Sequence, residues 1–306
     1  MAMTTTPGAP SLLLSDRELV AERLLTASAK HSFDPDTELD WDAPLVPGLW
    51  FLPEHLVSLY GTPLWERMTE EQRIDLSRHE AASLASAGIW FEVILMQLLA
   101  RHIYDLDPRT GHVQYALTEV ADECRHSKMF ARMVAKLETG WYQPGGMSRF
   151  LGRVLKTTAP TPAAFTATLL VEEILDRMQR VSFPDERIQP LVRGITRIHV
   201  VEETRHVRYA REELRRQMVT APLWERTFTR LTSGQAAVVV ARSLISPKVY
   251  QRAGLDVDEC LRQVRASEHR RETMRWSAEK LVEFLEETGV IHGRAVRAEW
   301  RRSGLL

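Results

Sequence analysis

Cysteines, long apolar runs and an excess of charge of either sign are all scarce in this sequence. The 306 residues include 2 cysteines, Cys124 and Cys260, which are too few for a disulfide framework. Lysine and arginine number 40 against 41 aspartate and glutamate, and the net charge of −1 gives no reason to expect nucleic acid or a membrane as partner. No membrane span is expected, because no run of about 18 apolar residues is evident. Since no secretory signal is evident either, the sequence predicts a cytoplasmic protein.

Helical periodicity dominates what is present, and we predict an all-α fold. Residues 1–14 are rich in Thr, Pro and Gly and are predicted to be a disordered tail, whereas residues 15–306 are predicted to form one domain. Turn signals separate four long periodic segments, which are 70–104, 112–138, 160–182 and 186–217. Two short links and one longer crossing (139–159) connect these segments, which is typical of a ferritin-like four-helix bundle. Additional packing helices are predicted at 222–232, 235–247, 256–264 and 266–289, with a tail after Gly293.

The most specific pattern is a set of metal-binding residue types that occurs twice. In each half a Glu is followed by a Glu-x-x-His motif, and the two sets are Glu92, Glu123, His126 and Glu172, Glu203, His206. Each later residue follows its counterpart by 80 positions (172 minus 92, 203 minus 123, 206 minus 126). Residues three apart share a helix face, so each Glu-x-x-His pair can point at one ion. Two such motifs with two further Glu residues form the ligand set of a bundle that binds two metals.

The residue types indicate which metals to expect. Carboxylates combined with imidazoles suit iron or manganese, whereas thiolates would indicate zinc or an iron–sulfur cluster. Cys124 lies between Glu123 and His126 but is rotated off their face by roughly 100°, so we predict a packed thiol rather than a ligand. A single Glu-x-x-His is usually a solvated pair of side chains. The repetition over six positions favours the dimetal site.

Helix geometry selects Glu172 rather than its neighbour as the ligand. Glu172 shares a face with Thr168 and Leu175, whereas Glu173 shares one with Arg177 and is predicted to be solvated. On the first ligand helix, Glu92 lies in an apolar stretch, where an unpaired carboxylate would cost several kcal/mol. Two small residues on that face either leave room for a substrate or allow close helix packing, and these are Ala85 and Gly88.

A seventh candidate breaks the symmetry between the halves. His199 precedes Glu203 by four positions and His206 by seven, so the three form one stripe. His199 is either a metal ligand or a histidine that packs in the core or supports a ligand, and its place beside the other ligands favours ligation. The equivalent position in the first half is Glu119, which is on the ligand face but near the helix start, so both a role near the metals and solvent exposure remain open.

Two acidic residues are candidates for orienting the ligand histidines. Asp122 and Glu202 precede His126 and His206, respectively, by four positions. Ligating histidines usually donate their second N–H to a carboxylate or carbonyl. We therefore predict that these acids orient histidines, across the bundle, and pair with two arginines; the alternative is that they are surface charges. The arginines are Arg125 and Arg205.

The complete pattern resembles that of the p-aminobenzoate N-oxygenase family. It consists of Glu92, Asp122-Glu123-x-x-His126, Glu172 and His199-x-x-x-Glu203-x-x-His206, within about residues 75–215. The resemblance implies a ferritin-like dimetal protein that oxidises amines to hydroxylamine, nitroso and nitro products. The additional histidine separates that family from ferritins, fatty-acyl desaturases and ribonucleotide reductase small subunits. Glu119 departs from the residue expected at its position.

These observations together predict a dioxygen-activating dinuclear iron oxygenase, with manganese as the alternative metal. We expect an arylamine-like small-molecule substrate, an external electron donor (a protein or a small reductant) and a homodimer. Nitrogen as the oxidised atom is implied by the resemblance alone. The alternatives are a dimetal carbon hydroxylase or desaturase, a ferroxidase or iron-binding protein, and a metal-free structural bundle.

Overall fold

The protein is described by a computed structural model over residues 16–306. The tail predicted for residues 1–14 lies outside the described residues. Within residues 16–306 no strand is formed beyond an isolated bridge between Trp50 and Ile188, so the all-α prediction is confirmed. The helices of the first half are α1 (Arg17–Lys30), α2 (Pro35–Glu38), α3 (Pro63–Arg67), α4 (Glu70–Ile103), α5 (Gly111–Lys136) and α6 (Gly146–Thr158). Those of the second half are α7 (Thr161–Ser182), α8 (Pro190–Thr220), α9 (Leu223–Ser243), α10 (Lys248–Arg252), α11 (Val257–Ala266), α12 (Glu268–Glu287) and α13 (Arg294–Ser303).

Four of these helices form the ferritin-like bundle. Helix α4 packs along α5 and α7 packs along α8, while contacts between α4 and α7 and between α5 and α8 join the two pairs. Local sequence signals set where each helix begins. Thr69 and Gln72 form a reciprocal capping box at the start of α4, and Thr110 caps α5. Helices α7 and α8 begin with a proline in the first turn, where its missing N–H leaves no bond unmade.

Helix α4 corrects the expectation that no segment is apolar enough to cross a membrane. Among the described helices it alone passes that test by length and composition, with a mean hydropathy of 1.6 over its best 18-residue window. However, 67% of that window is buried inside the structure, and the helix carries Glu92 near its middle. Its apolar character is thus accounted for by packing against the other bundle helices.

Three of the outer elements differ from the prediction. The crossing at 139–159 contains a helix, α6, which packs on α4. The two helices predicted at 222–232 and 235–247 are a single helix, α9. The tail predicted after Gly293 contains α13, which packs on α9 and buries Trp300 completely.

Candidate metal centre

All seven predicted ligands lie in one buried cluster between α4, α5, α7 and α8. One group of donor atoms, all within 4.8 Å of one another, comes from Glu123, His126, Glu203 and His206. Two further groups, each within the same limit, overlap with it, and they are Glu92 with His126 and His199, and Glu172 with His199 and Glu203. Every one of these side chains is buried. The bundle therefore converges the residues that the sequence placed on four separate helices.

The three histidines present one nitrogen each to the carboxylates. His206 Nδ1 lies 2.9 Å from Glu123 Oε1 and 3.0 Å from Glu203 Oε1. His126 Nδ1 lies 3.4 Å from an oxygen of each of the same two glutamates. His199 Nε2 lies 3.5 Å from Glu203 Oε1 and 3.7 Å from Glu92 Oε1. Glu123 and Glu203 thus lie between the imidazoles, as ligands shared by two ions would.

The outer nitrogen of each histidine has its own partner. His126 Nε2 is 2.7 Å from Glu202 Oε2, and His206 Nε2 is 3.2 Å from Asp122 Oδ2. Each pair joins α5 to α8, so the predicted orientation of histidines across the bundle is present as contacts. His199 Nδ1 is 2.7 Å from the side-chain oxygen of Gln179, a partner that the sequence did not indicate. Outer acceptors of this kind fix the tautomer, because they place the proton outside and the lone pair toward the cluster.

The orienting acids are themselves held by the two predicted arginines. Arg125 forms an ion pair with Asp122 and lies 3.7 Å from Glu202. Arg205 lies 3.4 Å from Asp122 and 3.9 Å from Glu202. The segment after α1 closes this network, since the backbone N–H of Phe33 donates to Glu202 at 3.0 Å. These acids are therefore neutralised by arginine, unlike the glutamates nearer the centre.

The inner glutamates lack comparable partners. Within residues 16–306, four carboxylate oxygens accept no hydrogen bond, and they are both oxygens of Glu123, Glu92 Oε1 and Glu203 Oε2. The short contact between His206 and Glu123 lacks the alignment of a hydrogen bond. Glu92 Oε2 accepts from Ser127 Oγ at 2.6 Å. A buried acceptor left without a partner costs about 1–3 kcal/mol, and a charged one costs more.

The pKa shifts in the cluster run in opposite directions, as expected where buried carboxylates and imidazoles interact closely. Burial, reinforced by Glu203 and Glu123, raises the pKa of Glu172 well above its usual range. Burial would also raise the pKa of Glu203, but the neighbouring His206 and His199 hold it well below the usual range. Carboxylates and imidazoles in this proportion, with unpartnered oxygens directed inward, fit a pair of iron or manganese ions.

The family assignment follows from the sequence profile of the p-aminobenzoate N-oxygenases, described as P-aminobenzoate N-oxygenase AurF, which matches residues 14–289. The chain belongs to the p-aminobenzoate N-oxygenase family. The match includes every predicted ligand and extends well beyond the 75–215 region in which the motifs lie.

Individual proteins similar to this chain share 29% of the aligned residues with it. Uncharacterized protein Mb0909 of Mycobacterium bovis is 29% identical over 205 residues, which cover 64% of this chain and 59% of that protein. Uncharacterized protein Rv0885 of Mycobacterium tuberculosis matches with the same identity and coverage. The aligned part of the chain thus spans about three fifths of the length of these relatives.

Among solved structures, this N-oxygenase family member is similar to variants of an R2-like ligand-binding oxidase with a reconstituted Mn/Fe cofactor. One variant shares 13% identity, with 97% of this chain and 94% of that chain covered and a TM-score of 0.42. Another shares 12% identity, with 97% and 94% covered and a TM-score of 0.40.

A cavity that the sequence did not reveal leads to the cluster. It has a volume of about 220 Å³ and lies between α4, α6, α7 and α9, with Glu172 in its lining. Along α7 its wall follows residues spaced by one helical turn, Ala163, Ala167 and Val171. The predicted small residues Ala85 and Gly88 instead line a separate cavity of about 50 Å³ beside Phe130.

The structure decides one open alternative, that for Glu119, and corrects two predictions, those for Glu173 and Cys124. Glu119, for which solvent exposure was left open, is buried with both oxygens unpartnered within the described chain, and burial raises its pKa well above the usual range. Glu173, predicted to be solvated, is largely buried and pairs with Arg211 at 2.8 Å. Cys124, predicted to be a packed thiol, is exposed. The expectations for Glu119 and Glu173 used the nearby helix start and the helix periodicity, respectively. Neither signal reports that other helices cover these side chains.

A second histidine–carboxylate group lies elsewhere in this N-oxygenase family member. His102, His112 and Glu213 bring donor atoms within 4.8 Å of one another. Arg17, from α1, already supplies a cation there and binds both oxygens of Glu213, at 2.9 and 2.8 Å. Burial and the nearby Arg17 lower the pKa of His112 to about 3. We therefore assign this group to the anchoring of α1 rather than to a metal.

Proposed function

We propose that this protein is a dimetal oxygenase that inserts one oxygen atom of O2 into a small amine. The observation that carries the proposal is the convergence of unpartnered buried carboxylates and imidazoles in a member of the p-aminobenzoate N-oxygenase family. The metals are proposed to be two iron ions, with manganese as the alternative. The side chains that would hold them are Glu92, Glu123, His126, Glu172, His199, Glu203 and His206.

Bound iron would supply the binding and reductive activation of dioxygen. The chain's own groups prepare the site for this chemistry. Asp122 and Glu202 accept the outer N–H groups of His206 and His126, which keeps the lone pairs of these histidines directed inward. Burial by four helices excludes bulk water, and this strengthens every charge interaction inside the site. The cavity beside Glu172 gives the amine one direction of approach.

The reaction requires electrons as well as oxygen. Conversion of R–NH2 with O2, two electrons and two protons yields R–NHOH and water. We therefore propose an external reductant, either an electron-donor protein or a small molecule. A homodimer in solution is proposed as well, and light scattering of the purified chain measures it directly.

A carbon hydroxylase or desaturase is the second candidate. The almost wholly apolar lining of the cavity would accept an alkyl or aryl group as readily as an amine. Product analysis distinguishes the two candidates. Incubation of the metal-loaded protein with 18O2, a reductant, 4-ethylaniline and ethylbenzene is expected to place 18O on the amine nitrogen. Label confined to carbon, or an unlabelled alkene, would instead replace N-oxygenation by the second candidate.

The dimetal site itself is tested first, by the metal content of the protein. We expect about two iron or manganese ions per chain after anaerobic loading, and dioxygen consumption that depends on the reductant. The variant Glu172→Gln should lose metal and dioxygen consumption. Glu173→Gln is the matched control, because this adjacent carboxylate pairs with Arg211 outside the cluster. A metal stoichiometry near zero in the wild type would overturn the proposal.

A further inference from the structure

The cavity beside Glu172 lacks any basic side chain. Of the described residues that line it, none is Lys, Arg or His, and Glu172 is the one titratable group. Aromatic and aliphatic side chains of α4 and α6 form one wall, including Trp90, Phe91 and Leu155. An anionic group placed there would lose its hydration without gaining a counter-charge, which is unfavourable.

With the exception of Thr168, the hydroxyl groups of the lining do not compensate for this. Thr166, Thr229 and Thr232 each donate to the backbone carbonyl four residues earlier in the same helix, at 2.8–2.9 Å. Ser233 donates to the carbonyl of Arg230 at 3.0 Å. Because these protons are directed at helix carbonyls, the hydroxyl oxygens remain as acceptors and cannot also donate to an anion.

The open end of the cavity lies between α6 and α9. The exposed lining residues are Val154 and Thr158 on α6 and Phe228 and Gln235 on α9. At the other end lie the buried residues Phe91, Leu95 and Glu172. A volume of about 220 Å³ is below the roughly 300–1,000 Å³ of pockets for drug-sized ligands. The occupant is therefore a small molecule with its reactive group at the inner end.

We infer that the substrate of this chain is a small, uncharged, largely apolar arylamine that lacks an acidic substituent. This inference rests on the proposed function, which makes the cavity the substrate site. An amine N–H can donate to the acceptor oxygens, and an arylamine is neutral at pH 7, whereas an alkylamine, like lysine, is cationic. The p-aminobenzoate anion, for which the family is named, would place its carboxylate in the apolar part of the cavity when its nitrogen faces Glu172.

The test compares binding rather than turnover. Equilibrium dialysis at pH 7.5 measures the dissociation constants of p-aminobenzoate and of its uncharged ethyl ester, for the metal-free and the metal-loaded full chain. We expect the ester to bind at least tenfold more tightly in both forms. Equal or tighter binding of p-aminobenzoate, or no binding of the ester, would overturn the inference.

A pair of variants tests the missing charge directly. Gln235→Arg places a cation at the mouth of the cavity, and we expect it to strengthen p-aminobenzoate binding several-fold. Leu231→Arg is the control, because Leu231 is 66% exposed on the same helix and is not among the lining residues. It should leave both dissociation constants unchanged, and equal effects of the two variants would contradict a role of the cavity.

The binding result is separable from the proposed function. If the ester binds as expected but the metal-loaded protein forms no N-oxygenated product from it, the N-oxygenase proposal fails and the assignment of the cavity to uncharged amines stands. If p-aminobenzoate binds as tightly as the ester and is oxidised, the substrate class is wrong and the N-oxygenase proposal stands.

Discussion

The carboxylates at the outer nitrogens of His126 and His206 come from the opposite helix pair, so each of these two imidazoles is oriented from across the bundle. Replacing Asp122 or Glu202 by Ala is expected to lower metal affinity by about 10–100-fold, because the imidazoles lose the acceptors that fix their tautomer. Competition with a chelator of known affinity measures the change. Helix content by circular dichroism should remain that of the wild type.

A surface aspartate provides the control for these variants. Asp36 pairs with Lys128 and Arg132 of α5 and is remote from the cluster, so Asp36→Ala should leave metal affinity unchanged. Metal affinity of the Asp122→Ala protein equal to that of this control would show that Asp122 has no orienting role.

His199 has no histidine counterpart in the first half of the chain, and the two metal positions should therefore be inequivalent. We expect His199→Ala to weaken one of two binding events in a calorimetric iron titration and to leave the other nearly unchanged. His79→Ala, which removes a buried histidine bonded to Tyr142 outside the cluster, should alter neither event. In a metal-bound crystal structure, a His199 Nε2 well beyond about 2.1 Å from both ions would show that it is not a ligand.

Glu80 lies on the same helix as Glu92, α4, and its ionisation is coupled to folding. Burial raises its pKa to about 7, although Ser58 donates to it from both its backbone N–H and its hydroxyl. Because the folded pKa exceeds the unfolded value, its stabilising contribution is complete below about pH 4.5 and is lost as the pH rises through 7. The neutral Glu80→Gln protein should therefore gain about 3 kcal/mol relative to the wild type between pH 4.5 and pH 8.

Urea unfolding at a series of pH values measures this difference. Glu186→Gln, at an exposed position, is the control and should follow the wild type throughout. A constant difference between the Glu80→Gln protein and the wild type across this pH range would contradict the assignment.

At the scale of elements, α13 contributes to the fold although the sequence indicated a tail. Trp300 is completely buried against α9, and its indole N–H donates to Ser233 Oγ at 3.0 Å. Trp300→Ala should reduce the free energy of unfolding by about 3–5 kcal/mol. Trp224→Ala, at a position 63% exposed, should change it by less than about 0.5 kcal/mol. Equal urea midpoints for the two variants would show that α13 is peripheral.

Close packing at glycines explains why the outer helices were predicted less well than the bundle. A Cβ at Gly234 would lie 2.5 Å from Glu299 Cβ, so this glycine marks the crossing of α9 and α13 rather than a helix end. A Cβ at Gly152 would lie 2.6 Å from the ring of Trp90, so the glycine-rich segment there folds as a helix against α4. Both contacts join residues distant in sequence, which local turn signals do not report.

The residues that converge in the cluster were predictable for the opposite reason. The Glu-x-x-His spacing is a property of one helix turn, and its repetition at a fixed offset encodes the bundle directly. The cavity beside Glu172 needs four helices in place, including α6, which the sequence did not indicate. Likewise, Gln179 reaches His199 only because α7 and α8 pack together. Position on a helix was readable from the chain, whereas the space between helices was not.

For the whole molecule, the cluster concentrates carboxylates in the interior, and the dimetal proposal has bound cations balance their charge. Metal ions at 1,000 times their dissociation constant would stabilise the folded state by about 4 kcal/mol. Removal of the metals by a chelator should therefore lower the melting temperature by several degrees. The helices should persist, because apolar residues hold the bundle pairs together on either side of the cluster. Thermal melts followed by circular dichroism, with Fe(II) added back anaerobically, measure both effects.

Magnesium serves as the comparison ion, since it prefers an all-oxygen ligand set and should restore little of the loss in melting temperature. Identical melting curves for the loaded and stripped protein would mean that the buried glutamates are balanced by protons alone, and the dimetal proposal would then lose its thermodynamic basis.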